Sequence, residues 1–121
     1  MTYNKHLYII PLIEVIKDLQ DEDYQKRIWV LGEGPECDSF GEAINSFFDY
    51  YDSLKDELQS EKYGLRKKEI AMIHSLAEKL EQYCEITPTS PDVKKVFKDP
   101  KWQEIRNFAK QVYLELTKPI V

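Results

Sequence analysis

Apolar residues recur at helical spacing along most of this chain, and no stretch alternates as a half-buried strand would. Five segments show the pattern, and each places its apolar residues on one face of a helix. We therefore predict an all-α protein. The apolar positions are Leu12, Ile13, Ile16 and Leu19; Tyr24, Ile28, Trp29 and Leu31; Phe40, Ile44, Phe47, Phe48 and Tyr51; Ile70, Ile73, Ala77, Leu80 and Cys84; and Trp102, Ile105, Ala109, Val112 and Leu116.

The first two segments carry residues that typically mark where a helix begins or ends. Pro11 suits the first turn of a helix, where its missing N–H is not needed. The acidic run 21–23 favours a second helix start through the helix dipole, and Gly32 is expected to end that helix. These signals predict two helices before residue 33.

The later helices have their own start signals. Ser39 and Glu42 form the S-x-x-E capping pattern, while Asp99 and Pro100 suit the N-cap and first position of the last helix. A short helix is expected over 93–97. The segment 53–64 fits either a continuation of the helix that Ser39 opens or a loop. The prediction is a single helical domain over residues 1–121, a bundle of five to six helices.

Composition supports a globular domain and a reducing compartment. The chain has 121 residues, of which 42% are hydrophobic and 32% charged, which suits one hydrophobic core. Cys37 and Cys84 lack metal or disulfide-scaffold spacing and are expected to be buried or incidental thiols. The apolar stretch 7–16 is too short to span a bilayer and has no signal-peptide cleavage site. We expect a cytoplasmic protein with no membrane partner.

Charge is distributed unevenly along the chain. The net charge of −5 includes a segment, residues 33–61, with nine acids and one base, whereas residues 62–121 carry twelve bases and eight acids. An acidic chain is a poor binder of polyanions, because neutralising phosphates supplies most of their affinity. We therefore expect no nucleic-acid partner.

The loop "LGEGPECDSF" at residues 31–40 is the stretch most like a site. It matches no phosphate-binding glycine motif and carries three acids that would repel a phosphate. Those acids fit no calcium-loop spacing, and the histidines and cysteines form no zinc spacing. Ser39 is better explained as a cap than as a nucleophile, and His74 as a partly buried structural residue. We expect no metal, no cofactor and no catalytic residues.

The strongest signal is an acidic face on the helix that Ser39 opens. Glu42, Asn45, Asp49, Asp52 and, if the helix continues, Asp56 alternate at spacings of three and four on the outward side. Two interpretations remain open. The basic C-terminal half could fold against these acids, or the face could dock a basic partner, with Tyr50 at its edge as an anchor.

Two stretches resemble a family of small, mostly uncharacterised bacterial proteins that are similar to immunity proteins of contact-dependent and other polymorphic toxins. The first is "YQKRIWVLGEGPECDSFGEAINSFFDYYD" and the second "DPKWQEIRNFAKQVYLEL". The similar parts are Arg27–Trp29, Ser39-Phe40-x-Glu42, Phe47-Phe48-Asp49 and Pro100-x-Trp102. The resemblance implies a non-enzymatic protein that neutralises a toxin, and many such toxins are basic nucleases.

The leading hypothesis is thus an immunity protein that binds a cognate toxin with a basic surface. The alternatives are a small enzyme or ligand-binding domain that uses clustered carboxylates, and a general helical adaptor with another basic partner. On the leading hypothesis the partner-binding residues are Glu33, Glu36, Asp38, Glu42, Asp49, Tyr50, Asp52 and Asp56.

Overall fold

The computed structural model describes residues 6–32, 39–60, 63–87 and 92–118. These residues form a single compact all-α domain with no strand, as the apolar spacing predicts. The six α-helices are α1 (His6–Gln20), α2 (Glu22–Tyr24), α3 (Phe40–Leu54), α4 (Lys67–Ile86), α5 (Val93–Lys98) and α6 (Pro100–Leu116), and a π-helix (Gln25–Val30) follows α2.

Helix α6 is the centre of the bundle. It packs along both α1 and α4, and α1 also packs along α3, whereas α3 and α4 contact each other over only a short stretch. The predicted inward positions of α6 are all buried, as are Leu12, Ile13, Ile16 and Leu19 of α1. The apolar periodicity therefore identified these core positions correctly, but it was wrong for Leu31, which is 54% exposed. The weak contact between α3 and α4 leaves a groove between them.

The start of the first helix was predicted wrongly. Helix α1 begins at His6, so Pro11 lies inside it and not in its first turn. A proline in a helix interior removes one backbone hydrogen bond and crowds the carbonyl four residues earlier. Burial of the neighbouring Ile9, Leu12 and Ile13 offsets that loss and keeps the segment helical.

The second predicted helix is only partly α-helical. After the single turn of α2, the chain continues as the π-helix. At its end, the N–H of Leu31 donates a hydrogen bond to the carbonyl of Lys26, five residues earlier, at 3.0 Å. Gly32 follows with a φ of +66°, a left-handed conformation that suits glycine. The predicted end point is confirmed, but the helix type is not.

Capping residues set the starts of α3 and α6 as predicted. Ser39 Oγ accepts a hydrogen bond from the N–H of Glu42 at 3.1 Å, and Asp99 Oδ1 accepts one from the N–H of Lys101 at 2.9 Å. Helix α3 ends at Leu54 and is followed by turns through Gln59. Asp56 therefore lies in a turn beyond the helix, so the optional continuation of α3 does not occur.

The fold contains one fully buried glutamine that joins three elements. Gln25 Nε2 donates to the carbonyls of Asp18 and Leu19 at 3.0 and 2.8 Å, which are among the last carbonyls of α1. Its Oε1 accepts a hydrogen bond from Trp102 Nε1 of α6 at 3.1 Å. The side chain thus supplies the acceptor of the buried indole N–H and a donor to two carbonyls at the end of α1.

An aromatic cluster surrounds that hydrogen bond. The fully buried ring of Trp102 lies 5.1 Å from Phe40, 5.6 Å from Tyr83 and 6.0 Å from Trp29, measured between ring centroids. These rings come from α3, α4 and the π-helix, and the spacing is typical of favourable aromatic pairs. Trp102 therefore holds four elements of the bundle together.

We expect Gln25→Ala to destabilise the protein by about 2–4 kcal/mol, because the buried indole N–H of Trp102 loses its acceptor and the carbonyl of Leu19 loses the amide donor. The carbonyl of Asp18 keeps its hydrogen bond from the N–H of Asp21 at 3.3 Å. Urea unfolding followed by tryptophan fluorescence measures the loss. Gln20→Ala is the matched control, since the Gln20 amide also donates to a backbone carbonyl of α1, that of Lys17, in an exposed position. Equal stability losses for the two variants would contradict the role assigned to Gln25.

Candidate protein-binding surface

The predicted acidic residues that the structure describes lie on the protein surface. Glu42, Asp49 and Asp52 are exposed along α3, and Asp56 is exposed in the turn after it. Tyr50 lies beside them with 41% of its surface exposed. Three other predicted residues, Glu33, Glu36 and Asp38, fall outside the described residues. We call Glu42, Asp49, Asp52 and Asp56 the acidic row.

The acidic row is almost free of compensating cations. Lys55 Nζ lies 3.6 Å from Asp52 Oδ1, and both side chains are largely exposed. Within the described parts of the chain, Glu42, Asp49 and Asp56 make no ion pair. The row thus keeps a concentrated negative charge at the surface.

Arg66, Lys68 and Lys118 instead pair with acids of their own half, and Arg106 pairs with Glu22 of α2 at 3.6 Å. Glu115, whose side chain is only 8% exposed, lies 2.7 Å from Lys118 Nζ, and 3.4 Å from both Arg66 Nη2 and Lys68 Nζ. Glu69 is fully buried and accepts a hydrogen bond from the backbone N–H of Arg66 at 2.8 Å. These contacts join the start of α4 to the end of α6, away from the acidic row.

An open groove of about 690 Å³ lies between α3 and α4. We call it the α3–α4 groove, and it begins where the acidic row reaches Asp52. Its aromatic side chains are Phe48 and Tyr51 of α3, and its acidic ones include Glu78 and Glu81 of α4. Ala77, His74 and Lys55 complete the lining.

Tyr51 and His74 meet across the groove. The phenol oxygen of Tyr51 lies 2.6 Å from Nδ1 of His74, a short hydrogen bond, and the two rings pack edge to face at 5.7 Å. Burial raises the pKa of the Tyr51 phenol, and the nearby charges of Asp52, Glu81 and Asp56 raise it further. The phenol therefore stays protonated.

The prediction for His74 was wrong in one respect. The residue is exposed at the groove, not partly buried in the core, although its ring contacts Tyr51. A helical residue beside an inner face can turn either toward a neighbouring helix or toward solvent. Because α3 and α4 contact each other over only a short stretch, His74 faces the open groove.

Sequence analysis missed the acidic residues on α4. His74, Glu78, Glu81 and Glu85 follow one another at spacings of four, three and four, the same helical row pattern that revealed the acids of α3. The net positive charge of residues 62–121 hid this row. Its position opposite Asp52 depends on how α4 packs, which is a tertiary feature.

The groove could hold a cation or move a proton, but its chemistry is limited. Phenol, imidazole and carboxylate groups bind cations and exchange protons. Among the described residues, no group of three or more His, Cys, Asp or Glu is arranged to hold a metal ion. Ser39 caps α3 and does not line the groove.

Comparison with known proteins gives no assignment: no protein-family model, no curated protein and no solved structure matches this chain. A search of the described helices finds none that is both long and apolar enough to cross a bilayer. The features that bear on function are therefore the acidic row and the α3–α4 groove.

We expect Glu115→Gln to lower the melting temperature at pH 7 and the difference to disappear in acid. Hydrogen bonding to Lys118, with the nearby charges of Lys118 and Lys68, holds the pKa of Glu115 below its ordinary value of 4.5. A carboxyl whose pKa is lower in the folded than in the unfolded protein stabilises the fold fully at pH values above its unfolded-state pKa. That stabilisation is lost as the pH falls through its folded-state pKa.

Thermal unfolding of both proteins, at pH values stepped downward from 7, measures this difference. The control is Glu14→Gln, which changes an exposed carboxylate of α1 that makes no ion pair with any described residue. A gap between Glu115→Gln and the parent that stayed constant in acid would contradict the assigned ion pairs.

Proposed function

We propose that this protein is an immunity protein that binds and blocks a cognate toxin with a basic surface. The observation that carries the proposal is the acidic row, whose carboxylates are exposed and, apart from the pair of Asp52 with Lys55, are not paired with the described residues. A nuclease-type toxin would present the basic surface with which it binds nucleic acid, and the row would occupy that surface.

The energetics of α3 favour a role for its charge outside the protein. Within α3, Asp49 and Asp52 are the one pair of acids three or four residues apart. Such a like-charge pair destabilises a helix by roughly 0.2–0.5 kcal/mol. No described base of the C-terminal half makes an ion pair with the row, and two of these bases, Arg66 and Lys68, interact with Glu69 and Glu115. A basic partner would offset the repulsion and would associate faster through electrostatic steering.

An interface also needs groups that bury apolar area. Tyr50, exposed next to Asp49, is of the residue type enriched in interface hot spots. The resemblance of residues 24–52 and 99–116 to immunity-protein-like sequences agrees with this surface. We extend the proposed contact to the preceding loop through Glu33, Glu36 and Asp38, and we propose that the protein acts in the cytoplasm.

A small enzyme or ligand-binding domain is the second candidate. The observation that favours it is that His74, Asp52, Glu78 and Glu81 line the same groove. The two candidates differ in their response to His74→Ala, which leaves the acidic row unchanged. If the protein protects the cell by binding the toxin, the His74→Ala variant should still capture the toxin and still protect the cell against it. Loss of protection with retained capture would favour the enzymatic candidate.

The proposal predicts that the gene immediately upstream encodes a toxin C-terminal domain, and that this product is captured in a pull-down. Asp49→Lys with Asp52→Lys should weaken capture at least about tenfold, because it replaces two attractive contacts by repulsive ones. Capture by the variant should also depend less on salt. The melting temperature should change little, because both side chains are exposed.

The matched control is Glu14→Lys with Glu104→Lys, which makes the same change in net charge at two exposed acids on α1 and α6. Capture by this control should stay within about twofold of the parent, since its charges lie outside the row. Undiminished capture by the Asp49 and Asp52 variant would overturn the proposed role of the acidic row. Capture of a basic protein other than a toxin would favour the helical-adaptor alternative.

A further inference from the structure

The α3–α4 groove combines three properties that the acidic row alone lacks: a concave surface between two helices, aromatic side chains and carboxylates from both sides. Phe47 stacks on Tyr51 at 5.6 Å with an interplanar angle of 15°, and Phe48 packs edge to face on Phe47 at 5.2 Å. This packing holds the rings of the groove in fixed positions. A ligand would therefore meet a preformed aromatic surface.

Carboxylates border these rings on two helices. Asp52 lies on the α3 side, while Glu78 and Glu81 lie on the α4 side. Lys55 is the one lysine or arginine of the lining, and its Nζ already lies 3.6 Å from Asp52 Oδ1. The groove thus has a net negative charge, and Lys55 forms an ion pair with one of its carboxylates, that of Asp52.

We propose that the α3–α4 groove receives an arginine side chain from a basic protein partner. A guanidinium is planar, stacks on aromatic rings and forms paired hydrogen bonds with carboxylates. A lysine ammonium is more strongly hydrated and forms neither the planar stack nor the paired bonds. The combination of Tyr51 and Phe48 with carboxylates on both sides therefore selects arginine.

The groove has the size and shape for a side chain that arrives on a larger molecule. Its volume of about 690 Å³ lies within the range of about 300–1,000 Å³ that is usual for ligand sites. It is open along the protein surface and continuous with the acidic row at Asp52. A basic segment lying on the row could therefore place one arginine in the groove, where the exposed pair of Lys55 with Asp52 is a weak competitor.

This inference rests on the proposed function, since it names the group that the toxin would insert. It can nevertheless be tested without the toxin, with fluorescein-labelled octa-arginine as the probe and the full chain as the receptor. Fluorescence anisotropy measures the dissociation constant, and backbone amide chemical shifts locate the peptide. We expect octa-arginine to bind several-fold more tightly than octa-lysine, and to shift the amide signals of Tyr51, His74 and Ala77.

Neutral substitutions within the groove supply the decisive variants. Glu78→Gln with Glu81→Gln should raise the dissociation constant about tenfold, because two charge-assisted contacts are lost. The hydrogen bond that Glu78 Oε1 accepts from Gln82 at 3.3 Å can persist in the glutamine variant. Glu14→Gln with Glu104→Gln is the control with the same change in net charge, and it should alter the dissociation constant less than about twofold.

Lys55→Gln should act in the opposite direction and tighten octa-arginine binding several-fold, because it frees Asp52 for the incoming guanidinium. Its control is Lys67→Gln, which removes an equally positive and exposed side chain at the start of α4. Melting temperatures of all variants confirm that the fold is retained. Equal effects of Lys55→Gln and Lys67→Gln would mean that only net charge matters, and would overturn the proposal.

Two further outcomes would also overturn it. Equal affinity for octa-lysine would remove the argument for arginine, and unchanged binding by the Glu78 and Glu81 variant would exclude the groove. Either failure leaves the acidic row testable through Asp49→Lys alone, because Asp49 does not line the groove, whereas Asp52 belongs to both surfaces. Conversely, capture that survives the Asp49 and Asp52 substitutions would overturn the proposed function, even if octa-arginine occupied the groove.

Discussion

The side-chain amide of Gln25 is the polar contact on which the arrangement of the bundle depends. It is fully buried and joins the end of α1 to the indole of Trp102, a residue 77 positions later in the chain. In a low-dielectric interior each of these groups would be costly to leave without a partner. The contact therefore restricts how the π-helix can lie against α1 and α6.

The aromatic rings around Trp102 extend that restriction to α3 and α4. Phe40 starts α3 beside the indole, and Tyr83 brings the C-terminal half of α4 to the same point. The phenol of Tyr83 also donates to Asp99 Oδ2 at 2.9 Å, the carboxylate that caps α6. With both helices held at this cluster and in little contact elsewhere, the α3–α4 groove remains open.

The distribution of charge follows from this packing. The cations that start α4 lie close to the end of α6, so Glu115 neutralises them locally. The carboxylates of α3 are left exposed, and α4 adds Glu78 and Glu81 across the groove from Asp52. This surface is acidic, partly aromatic and, among the described residues, largely unpaired, which is the character that the basic partner we propose would need. Stability within the domain gives no reason for such a concentration of like charge.

The helical class, most inward residues and most helix ends could be predicted from the sequence, with Leu31 as an exception because it is exposed. These features are local, because apolar period and capping act over a few residues, as at Ser39, Asp99 and Gly32. The position of Pro11 inside α1 and the π-helix were not predicted, because burial of neighbouring side chains overrides local preference. The exposed acids of α3 were predicted for the same local reason as the inward residues.

What those acids face could not be predicted from the sequence, because it depends on how the helices pack. The groove, the short hydrogen bond between Tyr51 and His74, and the acids of α4 opposite Asp52 all depend on contacts between residues far apart in sequence. Helical spacing places a residue on a face of its own helix, but the neighbour of that face is set by packing around Trp102. The acidic face was therefore a property of the sequence, whereas the groove beside it arises from the packing of the bundle.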